Sequence, residues 1–294
     1  MEHNPDRLYR GPLGVVLEPF VRAVRGHGLT RRHRLVWWAH RAVWRLTRSN
    51  RVRLDGFELE VDLHDSLQLA RGSYEPEEVA WYKEHVKPGD RVLELGANIG
   101  YFTCLYARLV GPDGRVVAYE PDPRLHAICQ RNLVTNGFAD RAEVRMCAVS
   151  DHPGRATFFR AGRNYGNNSL VRDDADALGG TSFEVELVRL DDDLADLAKP
   201  FDFVKMDIQG AESHALSGMQ AILRDRPPRL MLLEFWPKGL VGMGRDPRDY
   251  LDQLAGAGYR VSELGSEGPV DVDSLLRRLT PENRGWTSLV CARD

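Results

Sequence analysis

The chain has few cysteines and no long hydrophobic run. Its four cysteines in 294 residues form no C-x-x-C pair and no metal-site spacing, which argues against a disulfide scaffold and predicts a reducing compartment, the cytoplasm. No stretch approaches the roughly 18 consecutive apolar residues of a membrane-spanning helix, so we expect no membrane span. The apolar run at 13–17 ends at Glu18 and is too short for a signal-peptide core.

The chain also lacks a large excess of charge, since its formal net charge is −3. This balance predicts no nucleic-acid partner. The first 50 residues differ, because they hold ten arginines and three acidic residues around Trp37, Trp38 and Trp44. Basic, aromatic helices of this kind can bind anionic membranes or nucleic acids. Because tryptophans at helical spacing are more often packing residues, we favour a helical lid or a homodimer contact.

The hydrophobic pattern divides the chain into two parts. Residues 1–72 predict an N-terminal extension, with two helices over 15–48 and a hairpin over 51–63 that turns at Asp55-Gly56. Residues 73–294 predict one α/β domain, because apolar strand-like runs alternate there with helix-length segments, which implies a mostly parallel sheet with helices on both faces. The predicted strands are 92–95, 116–119, 143–149, 203–206, 230–235, 259–262 and 286–291, and the predicted helices are 76–86, 100–110, 124–136, 210–223 and 247–256.

An insertion at 155–188 interrupts this alternation. It contains two strand-like runs around a loop rich in glycine and asparagine. Loops of this length often contact substrate. The polar stretch at 164–170 (NYGNNSL) is compatible with a substrate contact and equally with a surface turn.

The most informative motif is the segment 92–100 (VLELGANIG), in which a buried strand enters a glycine turn and then a helix. Gly96 can adopt the backbone angles of a tight turn, and Gly100 lets the helix begin close to the strand. In open α/β sheets ligands bind beyond the carboxyl ends of the strands, where this turn would lie. The pattern lacks the G-x-G-x-x-G of dinucleotide-binding proteins, so it favours a ligand without a diphosphate.

A second acid strengthens this interpretation. Glu120 follows the next strand, where a carboxylate can accept hydrogen bonds from both hydroxyls of a ribose. Ala148 and Val149 end the third predicted strand and would lie beside an adenine base. The glycine turn and the acid together predict a nucleoside site.

With these motifs the chain resembles the FkbM family of S-adenosylmethionine-dependent methyltransferases over about residues 73–236. The resemblance implies a class I methyltransferase fold, whose seven-stranded, Rossmann-like sheet has an antiparallel last strand. It also implies methyl transfer to a hydroxyl oxygen of a small natural product or a sugar-containing metabolite. The motifs are 73–76 (SYEP), 87–90 (KPGD), 94–101 (ELGANIGY), 148–150 (AVS), 190–191 (LD) and 205–212 (KMDIQGAE).

The resemblance also implies a set of cofactor-binding residues. Glu94 and Gly96 would line the methionine portion of S-adenosylmethionine, and Asn98 its amino-acid end. Glu120 would bind the ribose, while Tyr74 and Glu75 precede the sheet and would close over the cofactor. The complete predicted set is Tyr74, Glu75, Glu94, Gly96, Asn98, Gly100, Glu120, Pro121, Ala148, Val149 and Asp207.

The predicted catalytic residues are Asp207, His214 and Glu234, which follow the fourth strand, begin the next helix and end the fifth strand. Methyl transfer to an alcohol is helped by a general base, and Asp207 is placed for that role. Asp207 and Glu234 are alternatively ligands for a divalent cation that polarises the substrate hydroxyl. The family commonly has Asp-Val-Glu-Gly-Ala-Glu where this chain has Asp-Ile-Gln-Gly-Ala-Glu, so Gln209 replaces an acid.

Two other functions fit parts of the pattern. An NAD-type oxidoreductase also has a strand, a glycine turn and an acid, but it predicts a G-x-G turn that this chain lacks. A non-catalytic module would keep the nucleoside site and use the basic N-terminal arm to hold RNA or a protein partner.

Overall fold

The structure is a computed structural model that describes residues 50–62, 67, 69, 72, 74–160, 168–170, 181–197, 199–266, 268–283 and 285–293. The chain divides into two compact units, Met1–Tyr74 and Glu75–Asp294. Our division at residues 72 and 73 stays a prediction, and the helices predicted over 15–48 lie outside the described residues.

The described part of the first unit contains the predicted hairpin. Strands β1 (Arg51–Leu54) and β2 (Phe57–Glu60) pair antiparallel. Asp55 and Gly56 between them have φ angles of 50° and 81°. Positive φ at both central residues matches the right-handed twist of the two strands, which is why Asp-Gly favours this turn.

The second unit contains a seven-stranded sheet with the order β11-β12-β10-β9-β3-β4-β5. Strand β12 pairs antiparallel with both of its neighbours, and the other pairs are parallel. This topology confirms the predicted class I methyltransferase fold. The strands of this sheet are β3 (Arg91–Leu95), β4 (Arg115–Tyr119), β5 (Ala142–Arg145), β9 (Phe203–Met206), β10 (Leu230–Phe235), β11 (Arg260–Glu263) and β12 (Thr287–Ala292).

The helices that flank the sheet begin at signals that the sequence carries. Asp122 caps one helix by accepting a hydrogen bond from the Arg124 backbone N–H, and Asp246 caps another in the same way. A proline follows each cap, where its missing N–H costs nothing. The helices are α1 (Pro76–His85), α2 (Tyr101–Val110), α3 (Pro123–Thr135), α4 (Leu190–Asp193), α5 (Glu212–Gly218), α6 (Gln220–Asp225), α7 (Pro237–Gly242), α8 (Pro247–Gly256) and α9 (Val272–Arg278).

Two predicted elements are each divided in the structure. The strand predicted over 143–149 ends at Arg145, and the chain continues as β6 (Ala148–Ser150) in a different sheet. The helix predicted over 210–223 is interrupted at Met219 and forms α5 and α6. The side chain of Asp191 causes the second break, because it accepts hydrogen bonds from the Ala221 and Ile222 N–H groups and so caps α6.

The insertion forms a small sheet with the order β6-β8-β7. Strands β7 (Gly154–Arg160) and β8 (Thr181–Arg189) pair antiparallel, as the two strand-like runs predicted. Ser169 extends this pairing, because its backbone exchanges two hydrogen bonds with that of Phe159, at 2.8 and 3.0 Å. Residues 164–167 of the predicted substrate loop lie outside the described residues.

A buried aromatic cluster joins α1 and α2 to the central sheet. The Tyr82 ring lies edge-on to Phe102, Tyr106 and Phe203, at centroid distances of 5.0 to 5.9 Å. Such edge-to-face pairs add stability beyond the area that they bury. Among the helices that the structure describes, none is both long enough and apolar enough to cross a bilayer.

Candidate active site

The crevice between β3 and β9 is the topological switch point of the sheet. From β3 the chain proceeds to β4 and β5 on one side, and from β9 it proceeds to β10 on the other. Leu95 and Met206 lie side by side at the carboxyl ends of these two strands. Ligands of open α/β sheets bind at this position, because the loops leave in opposite directions and open a crevice.

Gly96 lies where the loops after β3 and β9 touch. Its φ is +92°, and a Cβ atom there would be 2.0 Å from the carbonyl oxygen of Asp207. The Asp207 N–H in turn donates to the Leu95 carbonyl, at 3.1 Å. Only glycine fits this position, so Gly96 lets the two loops of the crevice meet.

The rest of the glycine turn is equally tight. Gly100 has φ +82°, and a Cβ there would lie 2.6 Å from Sγ of Cys129 on α3. Asn98 also has a positive φ, 50°, and its side-chain Oδ1 accepts a hydrogen bond from the Ile99 N–H. The close approach of Gly100 to Cys129 places the start of α2 against α3, and the Asn98 hydrogen bond restricts the backbone of the turn.

Glu120 lies at the tip of β4, and backbone groups hold its buried carboxylate. Oε2 accepts a hydrogen bond from the Asn98 N–H at 2.8 Å, and Oε1 accepts one from the Asp122 N–H at 2.9 Å. Burial raises the pKa of Glu120 to about 8, although the two N–H groups act to lower it. The glycine turn and the acid are therefore joined directly, and each oxygen keeps a lone pair for a ligand hydroxyl.

Glu94 is fully buried on β3. Thr103 donates a hydrogen bond to its Oε2 at 2.6 Å, but no donor among the described residues reaches Oε1. Burial raises the pKa of Glu94 to about 7, and nearby Lys205 acts to lower it. A buried acceptor without a donor is costly, so Oε1 is suited to a ligand that brings an N–H or O–H group.

The other five predicted cofactor residues lie on β6, beside Glu120 or before α1. Ala148 and Val149 are buried on β6, and Pro121 is half-buried beside Glu120. Tyr74 is the last residue of the first unit, and Glu75 adopts φ 42° at the start of α1. Contact of these five residues with a cofactor stays a prediction.

On the other side of the crevice, Gln209 bridges two of the predicted catalytic residues. Its Nε2 donates to Oδ1 of Asp207 at 2.9 Å and to both carboxylate oxygens of Glu234, at 3.2 and 3.0 Å. Burial, followed by the charges of Asp207 and Glu212, raises the pKa of Glu234 well above its usual value. The structure thus brings Asp207 and Glu234 together around an amide.

Lys205 is the positively charged residue in contact with this acidic cluster. Its buried Nζ lies 3.2 Å from Oδ2 of Asp207 and 5.6 Å from the ring centre of Phe102. Burial disfavours its charge, but Asp207 and Glu94 outweigh that effect and raise the pKa of Lys205. The strand register pairs Lys205 with Glu94, so this lysine lies between the two sides of the crevice.

Glu212 shapes the loop that carries Gln209. Its buried carboxylate accepts hydrogen bonds from the Ile208 N–H at 3.0 Å and the Gly210 N–H at 2.9 Å. Gly210 itself packs against the backbone of Gly239, which a Cβ would approach to 2.7 Å. Glu212 is therefore a loop-organising residue, beyond the role at a helix N-terminus that its position alone indicates.

The predicted cation site does not fit these residues. The Gln209 amide donates into the space between Asp207 and Glu234, where a bridging cation would have to lie. Within the described part of the chain, no three histidine, cysteine, aspartate or glutamate side chains are grouped so that they could hold one ion. The substitution of an acid by Gln209 contributes to the misfit, because it leaves one carboxylate fewer and turns an N–H donor toward Asp207 and Glu234.

His214 belongs to a different cluster. Its Nδ1 lies 3.1 Å from Oδ2 of Asp151, and its Nε2 lies 3.2 Å from the Met243 carbonyl. Arg245 also donates to Asp151, at 2.6 Å. No hydrogen bond among the described residues joins His214 to Asp207 or Glu234, so its catalytic role stays a prediction without support from these contacts.

The sequence analysis missed two groups of residues. Lys205 is one of only five lysines in the chain, and its place in a buried strand is the signal that could have revealed it. The pair formed by Asp122 and Arg160 carries no local signal, because the two residues are 38 positions apart.

The chain is similar to known methyltransferases. The family described as Methyltransferase FkbM domain matches residues 94–261. Methyltransferase sdnD of Sordaria araneosa is 28% identical over 155 residues, which cover 44% of this chain and 60% of that protein. The 31-O-demethyl-FK506 methyltransferase FkbM of Streptomyces tacrolimicus is 31% identical over 162 residues, which cover 46% of this chain and 61% of that protein. The 2-O-methyltransferase NoeI of Sinorhizobium fredii is 29% identical over 145 residues, which cover 45% of this chain and 58% of that protein.

The chain thus spans about 60% of the length of these curated relatives.

Solved structures also resemble the chain. The O-methyltransferase from Bacillus cereus in complex with SAH has a TM-score of 0.45 and 18% identity, covering 75% of this chain and 83% of that one. The O-methyltransferase TomG from Streptomyces achromogenes in complex with SAM has a TM-score of 0.44 and 16% identity, and the match covers 76% of this chain and 81% of that one.

Proposed function

Because the chain belongs to the FkbM methyltransferase domain family, we propose that it transfers a methyl group from S-adenosylmethionine to a hydroxyl oxygen of a small molecule. The observation that carries the proposal is the extent of the family match, residues 94–261. That range includes the glycine turn, Glu120, and the cluster formed by Asp207 and Glu234. A single family relationship therefore covers both sides of the crevice.

The cofactor side has the groups that the nucleoside of S-adenosylmethionine needs. Glu120 offers a carboxylate at the tip of β4 for the two ribose hydroxyls. The lone Oε1 of Glu94 suits the donors of the amino-acid end. We therefore assign these two acids to the cofactor, with Gly96 and Asn98 forming the turn between them.

The acceptor side has the groups that an alcohol needs. When bound, S-adenosylmethionine supplies a methyl carbon on a positively charged sulfur. Transfer of that carbon to the substrate oxygen would break the carbon–sulfur bond and leave its electron pair on sulfur, and the hydroxyl proton would pass to a base. Asp207 is the proposed base, because it is only partly buried and lies at the open end of β9. Lys205 and Gln209 hold its carboxylate in place, so most of the rate gain comes from positioning.

The names of two relatives support a proposal for the type of acceptor. Both are named for O-methylation, one as a 31-O-demethyl-FK506 methyltransferase and one as a 2-O-methyltransferase. We accordingly propose a hydroxylated natural product or a sugar-containing metabolite as the substrate. A homodimer contact, a cytoplasmic location and the absence of a nucleic-acid partner also remain proposals from the sequence.

The test has two stages. Calorimetry with S-adenosylhomocysteine and with NAD comes first, and we expect binding of the former alone. A mass-spectrometric screen of hydroxylated metabolites with the methyl donor then seeks the gain of one methyl group. Binding of NAD alone would contradict the proposal and favour an oxidoreductase, and cofactor binding without any methylated product would favour a non-catalytic module.

A substitution then tests the base once an acceptor is found. Asp207→Asn should lower turnover by about 100-fold, the lower range for loss of a general base, and leave the affinity for S-adenosylhomocysteine near that of the unaltered protein. Turnover at the unaltered rate would show that Asp207 is not the base.

A further inference from the structure

The insertion reaches the cofactor side of the crevice through one buried carboxylate. Asp122 lies two residues after Glu120, and only 1% of its surface is exposed. Arg160 of β7 donates to it twice, from Nε to Oδ2 at 2.5 Å and from Nη2 to Oδ1 at 2.7 Å. Asn168 adds a third hydrogen bond from Nδ2 to Oδ2, at 3.2 Å. Two residues of the insertion thus satisfy a charge that belongs to the loop after β4.

Arg160 is itself fixed by the insertion. Its side chain is 11% exposed, and its guanidinium carbon lies 4.5 Å from the ring centre of Phe183 on β8. A planar guanidinium that both stacks and forms a two-pronged ion pair has little freedom to move. The position of Asp122 is therefore set by the β7–β8 hairpin.

Asp122 in turn sets the position of Glu120. Its backbone N–H donates to Oε1 of Glu120, and its side chain caps α3 through the Arg124 N–H. If Asp122 moved, Glu120 would lose one of the two N–H groups that orient its carboxylate. Arg160 and Glu120 are therefore linked through one residue, since Arg160 binds the side chain of Asp122 and Glu120 binds its backbone N–H.

The insertion is also attached on the acceptor side. The hydroxyl of Ser169 donates to the Gln209 carbonyl, at 2.7 Å. Because Asn168 and Ser169 are adjacent, neighbouring residues of the insertion contact the loop after β4 and the loop after β9. The insertion therefore holds both walls of the crevice.

From these contacts we infer that Arg160 and Asn168 are positioning residues for cofactor binding, which act on Glu120 through Asp122. The inference rests on the proposed S-adenosylmethionine site. It gives the insertion a role in holding the methyl donor, in addition to the substrate contact that its length predicts. Neither residue needs to touch the cofactor for this role.

The experiment measures the dissociation constant of S-adenosylhomocysteine by calorimetry on the full chain. Arg160→Met should raise that constant about tenfold, since it leaves a buried carboxylate unpaired and frees the loop that orients Glu120. Asn168→Ala removes one hydrogen bond and should raise it about threefold. The matched control is Arg155→Met on the same strand, whose ion pair with Glu184 is exposed, and it should leave the constant unchanged.

A rescue variant separates positioning from general destabilisation. In the double variant Asp122→Asn with Arg160→Met, the buried charge is gone, and asparagine still caps the helix. The thermal unfolding midpoint should then recover, because no uncompensated charge remains. The dissociation constant should stay raised by at least about threefold, because the Arg160 contact that orients the loop is still absent. A return of the constant to the unaltered value would show that the unpaired charge alone, and not positioning, weakened binding. Thermal unfolding midpoints are recorded for each variant in parallel.

The outcomes distinguish the inference from the proposed function. If Glu120→Ala weakens binding but Arg160→Met and Asn168→Ala bind like the unaltered protein, the positioning role is wrong and the cofactor site stands. A lowered melting midpoint with unchanged affinity would give Arg160 a purely structural role and would also overturn the inference. If Glu120→Ala has no effect, the proposed cofactor site itself is wrong, and the inference fails with it.

Discussion

The two sides of the crevice differ in what holds their carboxylates. Beyond β4, the backbone N–H groups of Asn98 and Asp122 hold Glu120. Beyond β9 and β10, the side chains of Lys205 and Gln209 hold Asp207, and Gln209 also holds Glu234. Backbone donors stay in place when side chains change, whereas a side-chain donor is lost with one substitution. The side beyond β4 therefore depends less on single side chains than the side beyond β9 and β10 does.

The two sides also handle negative charge differently. None of the described residues that contact Glu120 is positively charged, and burial raises the pKa of Glu120 to about 8. On the acceptor side, Lys205 neutralises part of the charge, and the Gln209 amide lies where a third acid would add to it. Gln209 therefore adds a donor to this acidic cluster without adding charge.

Gly96→Ala should give the largest effect, because it pushes the two sides apart. The new Cβ would lie 2.0 Å from the Asp207 carbonyl, at φ +92°. We expect the free energy of unfolding to fall by about 3 kcal/mol or more, from overpacking together with the left-handed backbone. Chemical denaturation measures it.

The control for Gly96 is Gly89→Ala. Gly89 has nearly the same φ, +86°, but no heavy atom lies within 4 Å of its added Cβ. This variant should lose only about 1 kcal/mol, the cost of the backbone conformation alone. Equal losses in the two variants would show that the loops do not need to touch.

Glu120→Ala isolates the cofactor side. Loss of hydrogen bonds to a charged group should weaken S-adenosylhomocysteine binding by about 2 kcal/mol, or roughly 30-fold in the dissociation constant. In the proposed site the ionised form of Glu120 accepts the ribose hydroxyls, and burial raises the pKa of Glu120 to about 8. Affinity should therefore rise about tenfold between pH 7 and pH 9, as the ionised fraction does.

The pH dependence has its own control in Glu120→Gln, which cannot ionise. Calorimetry at several pH values should show a flat profile for that variant, apart from any titration of the ligand that both proteins share. An identical slope in the two proteins would show that Glu120 does not bind the ribose.

Gln209→Glu tests the acceptor side by restoring the acid that the family commonly has. The substitution removes the amide donor and adds a third carboxyl beside Asp207 and Glu234, which repels both. The free energy of unfolding at pH 8 should therefore fall by about 2 kcal/mol. The pKa of the new carboxyl would be raised in the folded state. The destabilisation by this carboxyl is therefore absent at low pH and develops as the pH rises and the group ionises. The loss in the free energy of unfolding should accordingly be smaller near pH 5.5 than at pH 8.

Gln209→Met is the matched variant, because it removes the amide without adding charge. Its loss of stability should be the same at pH 5.5 and pH 8, and both variants should bind S-adenosylhomocysteine like the unaltered protein. A pH-independent loss in Gln209→Glu would show that repulsion among the three acids is not important.

His214→Gln should have the smallest effect. His214 contacts Asp151 and the Met243 carbonyl, and Arg245 keeps its own contact with Asp151. We expect a loss of about 1 kcal/mol in the free energy of unfolding and no change in cofactor affinity, because glutamine can replace one of these two hydrogen bonds and the other is lost. A large fall in turnover with stability preserved would restore the catalytic role predicted from the sequence.

Several features of the site were readable from the sequence because they are local. The segment 92–100 specified a strand, a turn and a helix through its own glycines, and Glu120 followed the next strand directly. Hydrophobic alternation also predicted the parallel sheet, since each crossover needs a helix-length segment. The breaks at Met146–Cys147 and at Met219 were missed, because β8 and Asp191 cause them from far along the chain.

Neighbouring residues were enough to indicate the family, the mostly parallel sheet and the backbone turn that faces the proposed cofactor. The completed fold was needed to show the partners of the acids: Gln209 between Asp207 and Glu234, Lys205 beside Asp207, and Arg160 on Asp122. The physical reason is the range of the forces involved. Turns and periodicity are set by neighbouring residues, whereas a buried charge is neutralised by whichever group the completed fold brings within about 3 Å.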